Sequence, residues 1–505
     1  MFCQKLNYRE RRDFCMERKP VRPASIQPMG RAAQMPAAKK TYSRMSMTEL
    51  GYGGIMTKLK NIWKQKWGHW HLTSVQIIIL GFLGTILAGT LLLMLPWASR
   101  SGHGSSFWDA LFTAVSAVCV TGLVVQDTAT YWSEFGQAVI LLLIQIGGMG
   151  VMTVAVAIAC VSGRKIGLMQ RSTMQESIAA PQVGGIVRMT TFIIKIVFAV
   201  ELTGALLMLP VFARDFGLAK GIWYAIFHSI SAFCNAGFDL MGTRTQFSSL
   251  TTYADSPVIN VVIILLILSG GIGFLTWEDV HRNRLKWRKY RMQTKVVLAV
   301  TAILVLGPAL YFFFGEFTGV PFGKRLLYSL FQAVTPRTAG FNTIDLNDLH
   351  ETGQFMVILL MLVGGSPGST AGGMKTTTIA VLFAMTFSVF RKNQNPHLFK
   401  RRISEEAMRN AATLLVMYVT LFVGGGMIIS SIEGIPLMKA LFETASAVAT
   451  VGLSMGATPE LGLISRGILV VLMFIGRVGG LTLIFATVAE QRVDSRYPQE
   501  KITVG

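Results

Sequence analysis

The chain alternates between long apolar runs and short polar connectors. Residues 74–97, 137–160, 189–212, 257–277, 296–314, 411–431 and 464–488 are nearly free of charge. Each is long enough to cross about 30 Å of hydrocarbon as a helix of roughly 20 residues. Between them lie shorter apolar segments of about a dozen helical residues, too few to span a bilayer and therefore predicted to be re-entrant or interfacial.

Those short segments repeat. FWDALFTAVSAVCVTGL from Phe107, IWYAIFHSISAFCNAGF from Ile222, RLLYSLFQAVTPRTAGF from Arg325 and PLMKALFETASAVATVGL from Pro436 align on a central Phe and a closing Gly. The glycines, Gly122, Gly237, Gly340 and Gly452, are spaced 115, 103 and 112 residues apart. The Phe stands ten residues before the Gly at Phe112, Phe227 and Phe442, and nine at Phe331, so unit three is one residue shorter. Self-similarity at a fixed period defines an architecture. The predicted fold is an all-α polytopic membrane protein of four tandem helix–pore loop–helix units, pseudo-fourfold around one pore. The expected divisions are a basic arm at 1–70, units at 71–163, 164–281, 282–402 and 403–490, and a tail at 491–505. Irregular backbone at membrane depth is tolerated only where protein buries it or water reaches it, so four such loops imply a shared cavity.

Composition and charge sharpen this picture. The 505 residues are 52% hydrophobic and 14% charged, with a net charge of +21. The basic residues cluster in the N-terminal 70 residues, at Arg164 to Arg171, Arg282 to Arg291 and Arg391 to Arg402, between apolar spans. Clusters of this kind mark cytoplasmic loops and not a nucleic-acid surface, so both termini are expected in the cytoplasm and no nucleic acid as a partner. Residues 56–70, with Trp63, Trp67 and Trp70 among lysines, read either as a membrane-surface helix or as a solvated linker. The five cysteines form no readable disulfide framework or metal motif.

Rings of backbone carbonyls can replace a cation's water without net charge, and Gly permits the conformation that turns a carbonyl inward. The candidate ligands are the carbonyls of Val120, Thr121 and Gly122, Asn235, Ala236 and Gly237, Thr338, Ala339 and Gly340, and Thr450, Val451 and Gly452. For a single loop, a Gly after a short helix is as readily a C-cap; four in register favour the filter. Each short helix should direct its negative end at the cavity.

The third inner helix meets Gly364, Gly365, Ser366, Pro367, Gly368, Ser369, Thr370, Ala371, Gly372 and Gly373, then Met374 and Lys375, after about ten residues. Such a run cannot continue a helix in lipid, so it is a candidate gating loop over 364–375 with a structural kink as the alternative. It lacks the Gly-Lys-Ser/Thr ending of a phosphate loop. Glycines at matching places, Gly147, Gly148, Gly270, Gly271 and Gly476, read as close helix packing. Arg477 lies within an apolar helix, where a charge costs about 2.5–3.5 kcal/mol, so it should face the cavity or a carboxylate. Asp109 and Glu443 either attract cations at the mouth or buttress the short helices. Glu201, Lys195, His228 and Gln145 have no assigned pairing.

These loops, together with the Gly-rich segment and Gly476-Arg477-Val478-Gly479, resemble the Trk/Ktr/HKT potassium transporter superfamily, and within it the KtrB subunits, over roughly residues 71–505. That resemblance implies potassium uptake, K+ at the filter, Arg477 as an electrostatic barrier below it, and 364–375 as the intramembrane gate. It also implies a homodimer in the cell membrane, docked on a KtrA-type cytosolic ring that binds ATP or ADP. No covalent cofactor is implied. The alternative is a repeat-built secondary carrier for another cation or small solute, although repeats of one orientation fit it less well. No hydrolase or metalloprotease motif is present, so the chain is not expected to be an enzyme.

Overall fold

A computed structural model describes residues 73–161, 167–178, 185–284, 286–487 and 500. The sequence-predicted surface helix at 56–70 and the C-terminal tail, residue 500 aside, lie outside the described residues.

Four helices are long and apolar enough to cross a membrane: α1 (Ser74–Leu93), α6 (Ile186–Phe216), α10 (Met292–Tyr311, continued by a π turn to Glu316) and α14 (Glu405–Glu433). Only between 22% and 33% of their most apolar windows is buried within the chain. Leu91, Leu202, Ile303 and Val416 stand more than half exposed on them. Water would penalise such surface, and lipid does not. Polar caps set where several helices begin. The Thr73 hydroxyl accepts from Gln76 N in a capping box, and Ser404 accepts from Ala407 N.

Each long helix is followed by a short one: α2 (Phe107–Val118), α7 (Leu218–Cys234), α11 (Phe322–Val334) and α15 (Leu437–Ala449), of 12, 17, 13 and 13 residues. Their amphipathic faces bury the aligned phenylalanines Phe112, Phe227, Phe331 and Phe442 almost completely. An inner helix completes each unit: α3 (Glu134–Met149), α8 (Pro257–Gly271), α12 (Glu351–Leu362) and α16 (Leu463–Val478). Each inner helix packs against the short helix of the next unit, α3 on α7, α8 on α11 and α12 on α15, and α16 closes the circle on α2. An Arg466–Asp109 ion pair of 3.3 Å joins the last unit to the first at that seam.

The continuous spans expected at 137–160, 257–277 and 464–488 are broken instead. The α3 axis turns by 97° into α4 (Val151–Val161), and α8 turns by 96° into α9 (Phe274–Asn283). The breaks fall at Gly150 and Gly273, and α16 passes to α17 (Gly480–Thr487) at a third, Gly479. All three glycines have φ between 85° and 94°, a region costly for any Cβ-bearing residue. A break in the inner helix is therefore common to all four units, and unit three differs in its length.

Further elements are α5 (Leu168–Ile178), between units one and two, and α13 (Thr376–Phe390), which resumes the third inner helix. A small hairpin pairs β1 (His397–Leu398) with β2 (Arg401–Arg402).

The packing glycines are sterically required. A Cβ on Gly270 would overlap the carbonyl of Phe233 and lie 2.8 Å from the Thr370 hydroxyl, and Cβ atoms on Gly147 and Gly476 would meet the carbonyls of Val118 and Val448. Gly424 on α14 has open space around it. Overpacking costs about 1–3 kcal/mol. Gly270→Leu is expected to lower the apparent melting temperature in detergent by a few degrees or more, with Gly424→Leu unchanged. Equal melting curves for the two variants would contradict this packing.

Candidate functional site

Where each short helix ends, the chain reverses with the same backbone signature. The first loop residue is left-handed in all four units: Val120, Asn235, Thr338 and Thr450 have φ of 57°, 60°, 68° and 54°. The glycine two residues later is also positive, with φ of 90°, 69°, 80° and 96° at Gly122, Gly237, Gly340 and Gly452. Non-glycine residues at positive φ cost roughly 1–3 kcal/mol each and persist only where the surroundings hold them. Four in register make the strain a property of the repeat.

The loops interlock in a circle. A Cβ on Gly237 would lie 2.8 Å from Ala339 O. Cβ atoms on Gly122, Gly340 and Gly452 would overlap the carbonyl oxygens of Ala236, Val451 and Thr121, each in the next unit around. The four glycines thus meet in one closed ring of close approaches, each required by its neighbour. Thr121, Ala236, Ala339 and Val451 are fully buried between them.

A hydroxyl on or capping each short helix braces its loop, a feature the aligned segments contain and the sequence reading passed over. Gly122 N donates to Ser116 Oγ at 3.1 Å and Gly452 N to Ser446 Oγ at 3.0 Å. Ser231 Oγ donates to Phe238 O at 2.7 Å, and Thr335 Oγ1 to Phe341 O at 2.6 Å. Backbone bonds of 2.8 Å from Thr121, Ala236 and Val451 to the carbonyls of the same serines complete three of the turns. In unit three, one residue shorter, Gly340 N reaches Thr335 O at 3.4 Å. Asn235 ties unit two to unit three: its Oδ1 accepts from the Thr338 hydroxyl at 3.1 Å, while Nδ2 donates to Ala232 O and Ile267 O.

Cavities lie on both sides of the ring. The smaller, about 240 Å³, is lined by all four glycines and by Asp127, Asp239 and Glu460, with no Lys or Arg among the described residues. Asp127 accepts from the amides of Ala129, Thr130 and Phe247, which joins the loops of units one and two. Asp109 and Glu443 are engaged as braces. Asp109 holds Arg466 and Gln126, and Glu443 accepts from Ser454 and Thr458 hydroxyls and Met455 N.

The larger cavity, about 710 Å³, lies on the other side, and the run from Pro367 to Lys375 forms part of its wall. That run is non-helical from Val363 through Lys375, one residue earlier than the sequence reading placed it. Its base is stapled: Gly364 N donates to Met374 O at 2.8 Å, Thr376 N to Gly365 O at 3.0 Å, and Ser366 Oγ meets Thr376 Oγ1 at 3.1 Å. The loop leans on two other units. Ser366 N donates to Gly271 O, Phe274 N to Gly368 O, Thr370 Oγ1 to Phe233 O and Gly373 N to Gly476 O. A Cβ on Gly372 would strike the Thr450 hydroxyl and one on Gly364 would touch Thr338 Cγ2, so the loop lies directly under the ring. Ala371 is buried and Ser369 lines the cavity.

Arg477 meets no carboxylate among the described residues. Its guanidinium donates to Thr370 O of the loop and to Gly147 O of unit one, with a third contact to Gly148 O at 3.3 Å. It bridges the loop, unit four and unit one while lining the larger cavity. Lys375 Nζ turns back onto the carbonyls of Ala371 (2.8 Å) and Gly372 (3.2 Å). Of the residues left without partners in the sequence reading, Gln145 Nε2 donates to the buried Glu201 at 3.2 Å, and His228 Nδ1 lies 2.7 Å from Tyr224 O. Lys195 is exposed. Cys119 and Cys234 are buried and free.

The chain is 39% identical over 447 residues to the potassium/sodium uptake protein NtpJ of Enterococcus hirae, covering 86% of this chain and 98% of that protein. It is 38% identical to Ktr system potassium uptake protein B of Bacillus subtilis, covering 86% and 97%. Its fold matches the crystal structure of the potassium transporter TrkH from Vibrio parahaemolyticus with a TM-score of 0.66 at 20% identity, over 83% of this chain and 86% of that one. The family model described as "TrkH: Cation transport protein" matches residues 71–496. By its own loops and by these matches, the chain belongs to the TrkH cation transport protein family.

Proposed function

We propose that the chain carries K+ into the cell along the axis of the four-loop ring, as the ion-translocating subunit of a Ktr-type system. The observation that carries this reading is the interlocked circle of Gly122, Gly237, Gly340 and Gly452, with a carbonyl of each following unit in the space a Cβ would take. Carbonyls of Val120, Thr121 and Gly122 and their counterparts in the other units replace the ion's water. The negative ends of the four short helices face the ion, and the Asp127, Asp239 and Glu460 cavity is the outer mouth. Two named relatives, a potassium/sodium uptake protein and a potassium uptake protein, support a monovalent cation as cargo.

In the proposed cycle the 363–375 segment is the gate. It touches the ring from below and is held by hydrogen bonds that can be exchanged singly. Arg477 serves twice: its charge discourages a cation from resting in the cavity, and its donors to Thr370 O and Gly147 O latch the loop. Both termini and the basic loops are assigned to the cytoplasm, and a homodimer on a KtrA-type ring that binds ATP or ADP supplies control.

Rescue of potassium-uptake-deficient cells at micromolar K+ tests the reading. The unsubstituted chain should restore growth. Gly122→Ser and Gly452→Ser should lower K+ uptake or its preference over Na+ by about tenfold or more, since overpacking costs roughly 1–3 kcal/mol and 1.4 kcal/mol is a factor of ten. Growth equal to the unsubstituted chain in both variants would contradict it.

The gate makes separate predictions. Deleting Ser366 to Gly372 should raise Rb+ flux in proteoliposomes, and unchanged conductance would argue against the loop as an obstruction. Arg477→Gln should also raise flux per protein by releasing the latch. A fall in melting temperature with flux unaltered would leave Arg477 a structural brace only.

A further inference from the structure

The larger cavity contains a charge that neither the ring nor the gate explains. Two cationic side chains line it, Arg477 and Lys375, both fixed by bonds to backbone carbonyls. A cation that has left the ring must pass both, in a space whose walls are otherwise largely apolar: Val75, Ile78, Phe82, Phe274, Leu414. The cavity has one acidic lining residue among the described residues, Glu176.

Glu176 is on α5, the short helix between the first and second units, outside the repeat that builds the ring. That helix is anchored by its neighbours. Met174 is fully buried and Thr173 nearly so, and Thr190 Oγ1 on α6 donates to Met174 Sδ at 3.1 Å. The helix also packs on α1, α4 and α6. Glu176, near the end of the helix, is exposed and lines the cavity. No ion pair among the described residues engages it.

The geometry points to Glu176 as the exit carboxylate of the pathway, a residue that offsets Arg477 and Lys375 and draws the monovalent cation out of the cavity toward the cytoplasm. This inference rests on the proposed pore reading. Beside two cationic side chains in largely apolar surroundings, a carboxylate lowers the electrostatic barrier that a passing cation meets, and salt weakens that effect. Glu176 therefore sets the rate of passage and leaves the choice of ion to the ring above.

The test is Rb+ influx into proteoliposomes containing the full chain, at low ionic strength and again with about 0.5 M of an impermeant salt, where the screening length falls below roughly 5 Å. Glu176→Gln should reduce influx several-fold at low ionic strength and Glu176→Lys by about tenfold or more, with Glu176→Asp close to the unsubstituted chain. The differences should shrink in high salt, and the K+ to Na+ preference should be the same in every variant. Two results would overturn the inference: Gln and Lys variants indistinguishable from the unsubstituted chain at low salt, or Asp, Gln and Lys variants falling together with no dependence on salt. If the unsubstituted chain itself passes no Rb+, the pore reading fails as well, which separates the two failures.

Discussion

Four backbone carbonyls occupy the space that four side chains would need, and the rest of the architecture follows from that constraint. Each glycine of the ring is locked by the loop of the next unit, so no loop can hold its conformation alone. Left-handed residues before each glycine add strain that isolated loops would relax. The hydroxyl braces at Ser116, Ser231, Thr335 and Ser446 and the close approach of inner-helix glycines to the short helices hold that strain in place. A circular dependence of this kind explains why the four repeats keep the glycine while the flanking residues vary among Val, Thr, Asn and Ala.

The circle is not fully symmetric, and its asymmetry is concentrated in one unit. Unit three has the short turn, the weaker 3.4 Å amide bond at Gly340, and the extended 363–375 segment in place of a single-glycine elbow. That segment takes its support from carbonyls and amides of units two and four and, through Arg477, is tied to unit one. A loop held by many separate hydrogen bonds, each worth about 0.5–1.5 kcal/mol net, is suited to being moved without melting the helices around it. The proposed gate draws on this property.

Much of this was legible in the sequence, for identifiable reasons. Self-alignment exposed the four loops because a ring imposes the same glycine on every unit. The run from Gly364 to Gly373 was legible because no helix in lipid tolerates it. The elbows at Gly150, Gly273 and Gly479 were hidden because hydropathy continues unbroken through them; the shared Gly-x-x-Gly spacing of 147–150, 270–273 and 476–479 was the available signal. The partners of Arg477 could not be read, since the expectation of a carboxylate or bare cavity overlooked backbone carbonyls 107 and 330 residues away. Glu201 with Gln145 is equally remote in sequence, at 56 residues. Glu176 lies outside the repeat, where comparison among units has no counterpart to align.

The central claim is that an ion sits on the axis bounded by these loops, stripped of water by backbone oxygens. Anomalous scattering from crystals soaked in Rb+ or Tl+ tests it most directly. The account predicts peaks on the axis, level with the carbonyls of residues 120–122, 235–237, 338–340 and 450–452, lost when Gly122 or Gly452 carries a side chain. Strong peaks elsewhere in the protein and none on that axis would contradict it.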